Sequence, residues 1–287
     1  MLHNNKKSIS SSIFKIINIL FMIILILITV LPILNTFTLS FSTDIDSMVP
    51  GVKIWPSRFS TEGYNTLFQQ VKILRPFLNN IIVTVCGTIL HVGLCSLTGY
   101  ALSKKMAGKK IIMGFILITM MIPLQNIMIP LYILYKNLHL IDKLITIIIS
   151  GIVSGYSIVL LKNFFESIPE SIGEAAYIDG ASQLKMFIRI YLPLAKPGIA
   201  TVALFQFVGR WNHFMEAVLF INDPKKYTLQ IALKGLVIDS DASSSATIIT
   251  KNTQMAGVMI AIIPLLILYP FLQKYFISGL MVGSTKG

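Results

Sequence analysis

Residues 174–193, EAAYIDGASQLKMFIRIYLP, form the longest polar-rich segment between two apolar runs of this chain. Two Ser-x-x-Glu pairs stand at its entrance, Ser167 with Glu170 and Ser171 with Glu174, and Pro169 falls where a first helical turn accepts proline. A helix is expected to begin near Pro169, with those side chains answering its first unpaired amides. Asp179 and Gly180 are turn chemistry, since glycine adopts backbone angles that a Cβ resists. Beyond the turn, Leu184, Phe187, Ile188 and Tyr191 recur at i, i+3, i+4 and i+7, one apolar stripe on a second short helix. Lys185 and Arg189, four apart, project together from another face, and Pro193 and Pro197 end that helix and open the next apolar run.

Outward from this helix-turn-helix the chain is far too apolar for a soluble globule. It has 287 residues, 54% hydrophobic and 13% charged, with mean hydropathy +0.76. A spanning helix needs about 20 apolar residues to cross a hydrocarbon core of about 30 Å. Six runs meet that length, at roughly 13–40, 77–102, 111–135, 144–163, 197–221 and 255–273. The expected fold is therefore an all-α integral membrane protein with six transmembrane helices and residues 165–196 as a loop outside the bilayer. Three regions follow: an N-terminal span with an outer loop (1–76), a core (77–273) and a tail (274–287).

The formal charge of +12 matters through its distribution. The loop SKKMAGKK, with Lys104, Lys105, Lys109 and Lys110, is the sharpest basic cluster, and the positive-inside rule places it in the cytoplasm. Two spans later the Glu174 loop lies on the same side, as do both termini, with Lys6, Lys7, Lys15 and Lys286. Basic residues without interleaved aromatics do not make a nucleic-acid surface. The first apolar run is too long for a secretory leader and lacks a small-x-small site after it, so it reads as a retained span. The outer loop 42–76 carries Trp55, Phe59, Tyr64 and Phe68, and its spacing predicts a short surface helix over 61–72.

Polar groups inside the spans mark the candidate path. Gly87, Gly93, Ser96, Thr98 and Gly99 in the second span permit close helix approach, and His91 reads as a hydrogen-bonded interior group. Cys86 and Cys95 fall on opposite faces and cannot bridge one another. Pro123 and Pro130 bracket Gln125 and Asn126 in the third span. This predicts a kinked helix whose polar pair either lines a path or bonds neighbouring helices. The fifth span holds Gln206, Arg210, Trp211, Asn212, His213, Phe214 and Glu216. A charge near the bilayer centre costs about 2.5–3.5 kcal/mol, so Arg210 and Glu216 should face protein or water. Gln206, Arg210 and His213 share one helix face, with Asn212 and Glu216 on a neighbouring one. Two readings stay open: hydrogen-bond partners for a sugar beside a Trp211 and Phe214 platform, or an Arg210–Glu216 bridge that only stabilises the subunit. The loop 222–254, with DSDASSS, is a candidate surface for an extracellular partner.

Several chemistries are missing. No Gly-x4-Gly-Lys-Ser/Thr loop exists to cradle ATP phosphates, so this chain carries no ATPase site. It also lacks a His-Glu-x-x-His zinc motif and a Gly-x-Ser-x-Gly elbow, and no catalytic or metal-binding residue is assigned.

Glu174, Ala175, Ala176, Gly180, Ile190, Leu192 and Pro193 follow the order Glu-Ala-Ala, three residues, Gly, nine residues, Ile-x-Leu-Pro. Here the chain resembles permease subunits of bacterial ATP-binding cassette carbohydrate importers of the maltose type, which carry this pattern in their EAA loop. Pro123, Gln125, Pro130, Leu131 and Tyr132 are similar to a second pattern of that family. Trp211, Asn212 and Phe214 match a third, and INDPKKYTLQ is similar to a subgroup handling complex oligosaccharides. The resemblance implies that the loop, with Asp179 at its turn, forms coupling helices docking into a separate ATPase subunit. The implied complex holds a second related permease, an ATPase dimer bearing ATP and Mg, and an extracellular sugar-binding protein. It would sit in the bacterial cell membrane among its lipids and import sugars by alternating access. Polyols or other small solutes are the alternative cargo. A carrier driven by protons or sodium, with Glu216 and His213 as its ion site, is the alternative of another class. From the residues alone, 165–196 could also be an ordinary interfacial helix pair.

Overall fold

A computed structural model describes residues 9–241 and 249–284. Lys6, Lys7, Lys286 and most of the DSDASSS run lie outside them. The helices, in chain order, are α1 (Ile9–Ser40), α2 (Asp44–Met48), α3 (Glu62–Gln69), α4 (Leu74–Ser103), α5 (Lys109–Met121) and α6 (Leu124–Asn137). There follow α7 (Leu144–Ile149), α8 (Gly155–Glu166), α9 (Glu170–Ile178) and α10 (Gln183–Met186), a π-helical turn (Phe187–Tyr191) and α11 (Leu192–Leu194). The remainder are α12 (Lys196–Trp211), α13 (Met215–Phe220), a 3-10 turn (Pro224–Lys226), α14 (Leu229–Asp241) and α15 (Lys251–Ser284). Among the described residues the only extended pairing is a single antiparallel bridge between Ser42 and Phe59, so the all-α expectation holds.

Among the described residues, three helices are long and apolar enough to cross a membrane unbroken: Ile13–Ser40, Leu74–Ser103 and Lys251–Pro270. Two sharply bent pairs also pass, Lys109–Met121 with Gln125–Asn137, and Gln183–Leu194 with Lys196–Trp211, which meet at 80°. The third run, expected as a helix kinked at its prolines, is sharply bent there, whereas the fourth and fifth, expected as continuous helices, are broken. Pro123 stands between α5 and α6, where its ring and missing N–H end a helix. The run 144–163 divides at residues 150–154, where Gly151 takes a left-handed φ of +61°. The run 197–221 divides at Asn212–Phe214, so His213 is not on one helix face with Gln206 and Arg210.

The described chain forms two compact units. In the first, made of residues up to Lys72 with Gly235–Ala261, the loop after α1 is fastened to the start of α15. Asn252 Nδ2 donates to Asp44 Oδ1 (2.7 Å) and to the Ser42 carbonyl (3.0 Å), and Thr250 Oγ1 donates to Asp44 Oδ1 (3.0 Å). A Cβ on Gly63 would lie 2.8 Å from the Asn252 carbonyl carbon, so only glycine lets α3 approach that backbone. The surface helix expected over 61–72 is α3, with Leu67 fully buried.

In the second unit, Ile73–Lys234 with the residues from Ile262 on, α4 is the central helix, packed against α8 and α12. Lipid is as apolar as a protein interior, so close fit rather than transfer from water holds such helices together. A Cβ on Gly99 would meet the Lys162 amide nitrogen of α8 at 3.0 Å, which shows how near the two backbones run. Cys95 and Tyr100 of α4, Ile158, Leu161 and Phe165 of α8, Phe187 and Tyr191 of the π turn, and Val202 of α12 share one core.

Candidate functional site

The Glu174 segment is a helix pair, as its spacing predicts, with two differences in detail. Pro169 itself occupies the N-cap of α9 and no side chain caps that end. Ser167 instead donates its hydroxyl to the Phe164 carbonyl (2.7 Å), completing the end of α8. The capping-box expectation fails because the helix before it claims the serine. At the far end Gly180, at φ +73°, lets the Gly180 and Ala181 amides return to the Tyr177 and Ala176 carbonyls (3.0 and 2.9 Å). Ser182 then caps α10 through the Lys185 amide. That cap was readable in the sequence as a serine just after the turn.

The expected stripe on the second helix splits. Phe187 and Tyr191 are buried together with Met186, whereas Leu184 and Ile188 are 61% and 52% exposed. The i, i+4 pair Phe187 and Tyr191 faces the core and the pair Leu184 and Ile188 faces away, and a π turn, closed by the Leu192 amide on the Phe187 carbonyl, takes one residue more than an α turn. Of the pattern residues, Glu174, Ala175, Asp179, Gly180 and Pro193 are exposed, Ile190 and Leu192 half-buried and Ala176 buried. Tyr177 and Ile178, 71% and 83% exposed, line a groove of about 410 Å³ together with Glu174, Lys104, Gln183 and Met186. Lys109 and Lys162 both reach Glu166 (2.9 and 2.7 Å), tying the basic 103–110 loop to the end of α8. Burial alone would raise the Glu166 carboxyl, but these two ammoniums outweigh it and hold it below the usual range.

The break between α7 and α8 is the second feature. Carbonyls freed at 147–151 need donors, and two buried side chains from other helices supply them. Arg210, 2% exposed, donates through Nη1 to the Ile147 and Ile148 carbonyls (3.1 Å each) and through Nη2 to Ser150 (3.0 Å). His91, fully buried, bonds the Gly151 carbonyl through Nδ1 (3.0 Å) and the Ser157 hydroxyl through Nε2 (2.9 Å). His91 is thus the interior group expected. Among the described residues Arg210 makes no ion pair with Glu216. The direct bridge considered for these two is replaced by a guanidinium clamped on carbonyls. Glu216, 3% exposed, faces His213 Nδ1 at 3.3 Å instead.

The other path candidates are dispersed. Trp211 is 1% exposed, stacked on Phe207 (6.1 Å) and edge-on to Phe77 (5.9 Å), so in this chain it is interior rather than an open platform. Its carbonyl accepts from Asn80 and Gln230 (3.3 and 3.1 Å). Asn212 is exposed and donates to the Val208 carbonyl, Gln206 is half-buried, and Phe214 lies beneath the Lys234 ammonium (4.5 Å). Gln125 and Asn126 are exposed at the start of α6. A cavity of about 590 Å³ opens between the two helix breaks, lined by Met120, Ile122, Leu131, Tyr135, residues 149–155 and Tyr156. Its wall includes none of the path residues singled out in the sequence. Breaks cannot be foreseen from residue type alone, though the Ser150-Gly151 and Ser154-Gly155 pairs mark where this one falls. Among the described residues no group of three His, Cys, Asp or Glu could hold a metal.

Comparison with known proteins adds a family. The sequence profile described as "Binding-protein-dependent transport system inner membrane component" matches residues 91–282. Protein LplC of Bacillus subtilis (strain 168) is 35% identical over 294 residues, covering 100% of this chain and 98% of the relative. The polygalacturonan/rhamnogalacturonan transport system permease protein YtcP of the same organism is 35% identical, over 93% of this chain and 96% of its own. Among solved structures, a chain of a bacterial ABC transporter involved in the import of the acidic polysaccharide alginate is similar, at TM-score 0.86 and 30% identity. That match covers 94% of this chain and 98% of the other.

Proposed function

Because this chain belongs to the family of inner membrane components of binding-protein-dependent transport systems, we propose that it is the permease subunit of an ATP-driven oligosaccharide importer. It spans the bacterial cell membrane, without an ATPase site of its own. Residues 1–76 precede a permease core at 77–273 with the coupling loop at 165–196, and 274–287 form a tail. Counting α5 with α6, α7 with α8 and α12 with α13 as single broken passes, together with α1, α4 and α15, gives six crossings. Both termini and the Glu174 loop are then on the cytoplasmic side.

The single observation that carries the coupling role is the exposed apolar pair Tyr177 and Ile178 beside Glu174, on a helix pair anchored by the buried Ala176, Met186, Phe187 and Tyr191. Large exposed apolar groups rimmed by charge are the ordinary mark of a docking surface. An ATPase dimer carrying ATP and Mg grips this face and one on a second, related permease. Closure of the dimer then moves the two permeases between inward- and outward-open states. An extracellular binding protein delivers the sugar, and the cavity beside the broken helices forms part of the path, where non-helical backbone is tolerated because it lines a cavity. Relatives named for polygalacturonan, arabinooligosaccharide and maltodextrin transport support an oligosaccharide as cargo.

The test is co-purification of the tagged chain from detergent, with and without Glu174→Ala plus Gly180→Ala. A Walker-motif ATPase and a second permease should accompany the wild type, and the ATPase should be lost from the double variant. A chain that purifies alone and still transports sugar would overturn the reading.

A further inference from the structure

We propose that Lys104 and Tyr191 form a latch that fastens the Glu170–Leu194 segment to the end of α4, so that movement of the docking face is passed into α4 instead of being absorbed by the loop. This rests on the reading above, in which ATPase subunits grip that face.

Lys104 closes α4 as its C-cap residue, and its ammonium donates to the Tyr191 hydroxyl at 2.5 Å. The same nitrogen lies 3.8 Å from the Tyr191 ring centre and 5.1 Å from that of Tyr100, so one cation serves two ring faces and a hydroxyl. Tyr191 is 2% exposed. A third element reaches the same point: a Cβ on Gly173 of α9 would stand 2.5 Å from the Tyr191 hydroxyl and 3.7 Å from the Lys104 nitrogen. Glycine there is what lets α9 touch the pair. Tyr100 adds a second fastening, donating to Gln183 Oε1 at 3.2 Å, with its ring 5.0 Å from Tyr191 and 5.1 Å from Phe187. The nearby Lys105–Glu170 pair, 91% and 71% exposed, holds little by comparison.

From the latch, α4 runs without interruption to His91 and Gly87, which meet the broken segment and its clamp. Docking face, latch, α4 and cavity wall are thereby joined by direct contacts, the kind of contiguous route through which coupling can travel. Tyr191 occupies the unspecified position in Ile-x-Leu-Pro, and Lys104 sits in a basic loop whose first reading is orientation. Neither stands out until the structure brings them together.

The experiment uses the whole importer in proteoliposomes and reads sugar transported per ATP hydrolysed, beside co-purification of the ATPase. Tyr191→Phe removes one oxygen and leaves the ring packing, and Lys104→Met removes the cation while keeping the stem. Each should lower the transport-to-hydrolysis ratio by about two- to thirtyfold with the complex still assembled. The double variant should be no worse than the poorer single one, since both break one contact, and Lys104→Arg should restore the ratio. A wild-type ratio in the assembled single variants overturns the latch and leaves the importer reading intact. Loss of the ATPase from them also overturns it, by making the pair part of the docking face. A wild-type chain that binds no ATPase at all removes the reading beneath it.

Discussion

The Arg210 guanidinium fills the space a side chain on Gly87 would need: a Cβ there would come 2.7 Å from Arg210 Cζ and 2.9 Å from its Nε. Arg210 can clamp three carbonyls at the break between α7 and α8 only because α4 presents bare backbone at this point. Gly87→Ala should therefore push the guanidinium off its acceptors and lower stability by about 1–3 kcal/mol, the cost of overpacking or of leaving buried polar groups unmet. Arg210→Lys should also destabilise, since a point charge cannot span acceptors on Ile147, Ile148 and Ser150. Melting of the detergent-solubilised chain, followed by the fraction that stays monodisperse after heating, checks both.

Gly180 makes a contrasting case, because nothing lies within 4 Å of a Cβ built on it and only its φ of +73° resists substitution. Gly180→Ala should cost about 1–2 kcal/mol through backbone strain, and Gly180→Asn, which tolerates left-handed angles, distinctly less. Hydrogen exchange over residues 170–186 should rise a little in Gly180→Asn and more in Gly180→Ala. Equal protection in the two variants would mean that the turn is not limiting.

On the loop after α6, Asp142 accepts from the Lys226 ammonium (2.8 Å) and from the amides of Asp223 and Asn222 (2.9 and 3.1 Å). The Lys226 hydrogen bond, then those amides, hold its carboxyl below the ordinary 3.8, and Asp142 in turn raises Lys226 above 10.5. A depressed carboxyl contributes stability that is complete above its unfolded value and lost as pH falls through its folded one. A raised ammonium contributes below its unfolded value and loses it as pH rises through its folded one. The melting-temperature gap between wild type and Asp142→Asn should hold level from about pH 5 to 9 and close below about pH 4. A gap that varies across neutral pH would point to another group.

Cys86 is exposed and Cys95 fully buried, and neither is paired. In detergent, a small maleimide should modify one thiol quickly and the second only after denaturation, as counted by intact mass. Fast labelling of both would mean that α4 does not face α8 as described.

How much of this the sequence disclosed depends on the kind of force involved. The helix-turn-helix at Glu174, the turn at Gly180, the surface helix over 62–69 and the interior role of His91 were legible, because hydropathy, spacing and glycine chemistry act locally. The breaks at residues 150–154 and 212–214 were not. The Ser150-Gly151 and Ser154-Gly155 pairs mark only a weak point; the break holds because distant donors, Arg210 and His91, catch its carbonyls, and that pairing across about 60 residues leaves no local trace. The same distance explains why Arg210 is read against Glu216, its near neighbour, when its acceptors lie on α7 and at Ser150 just beyond it. Trp211 looked like a platform because an aromatic beside Asn212 is ambiguous until Phe77 and Phe207 are seen to enclose it.

The π turn at Phe187–Tyr191 makes one part of the chain a matter of arithmetic. Each residue of a helix turns the backbone by about 100°, and the turn holds one residue beyond the α count just before the chain swings 80° into α12. Deleting a single residue between Gln183 and Ile190 would let the helix relax to ordinary winding, the spare residue of the π turn absorbing the loss. A second deletion would find no spare residue and would rotate α12 by roughly a quarter turn or more, aiming Arg210 away from the carbonyls it holds. Over this stretch the number of residues, more than their identity, sets the direction of everything that follows.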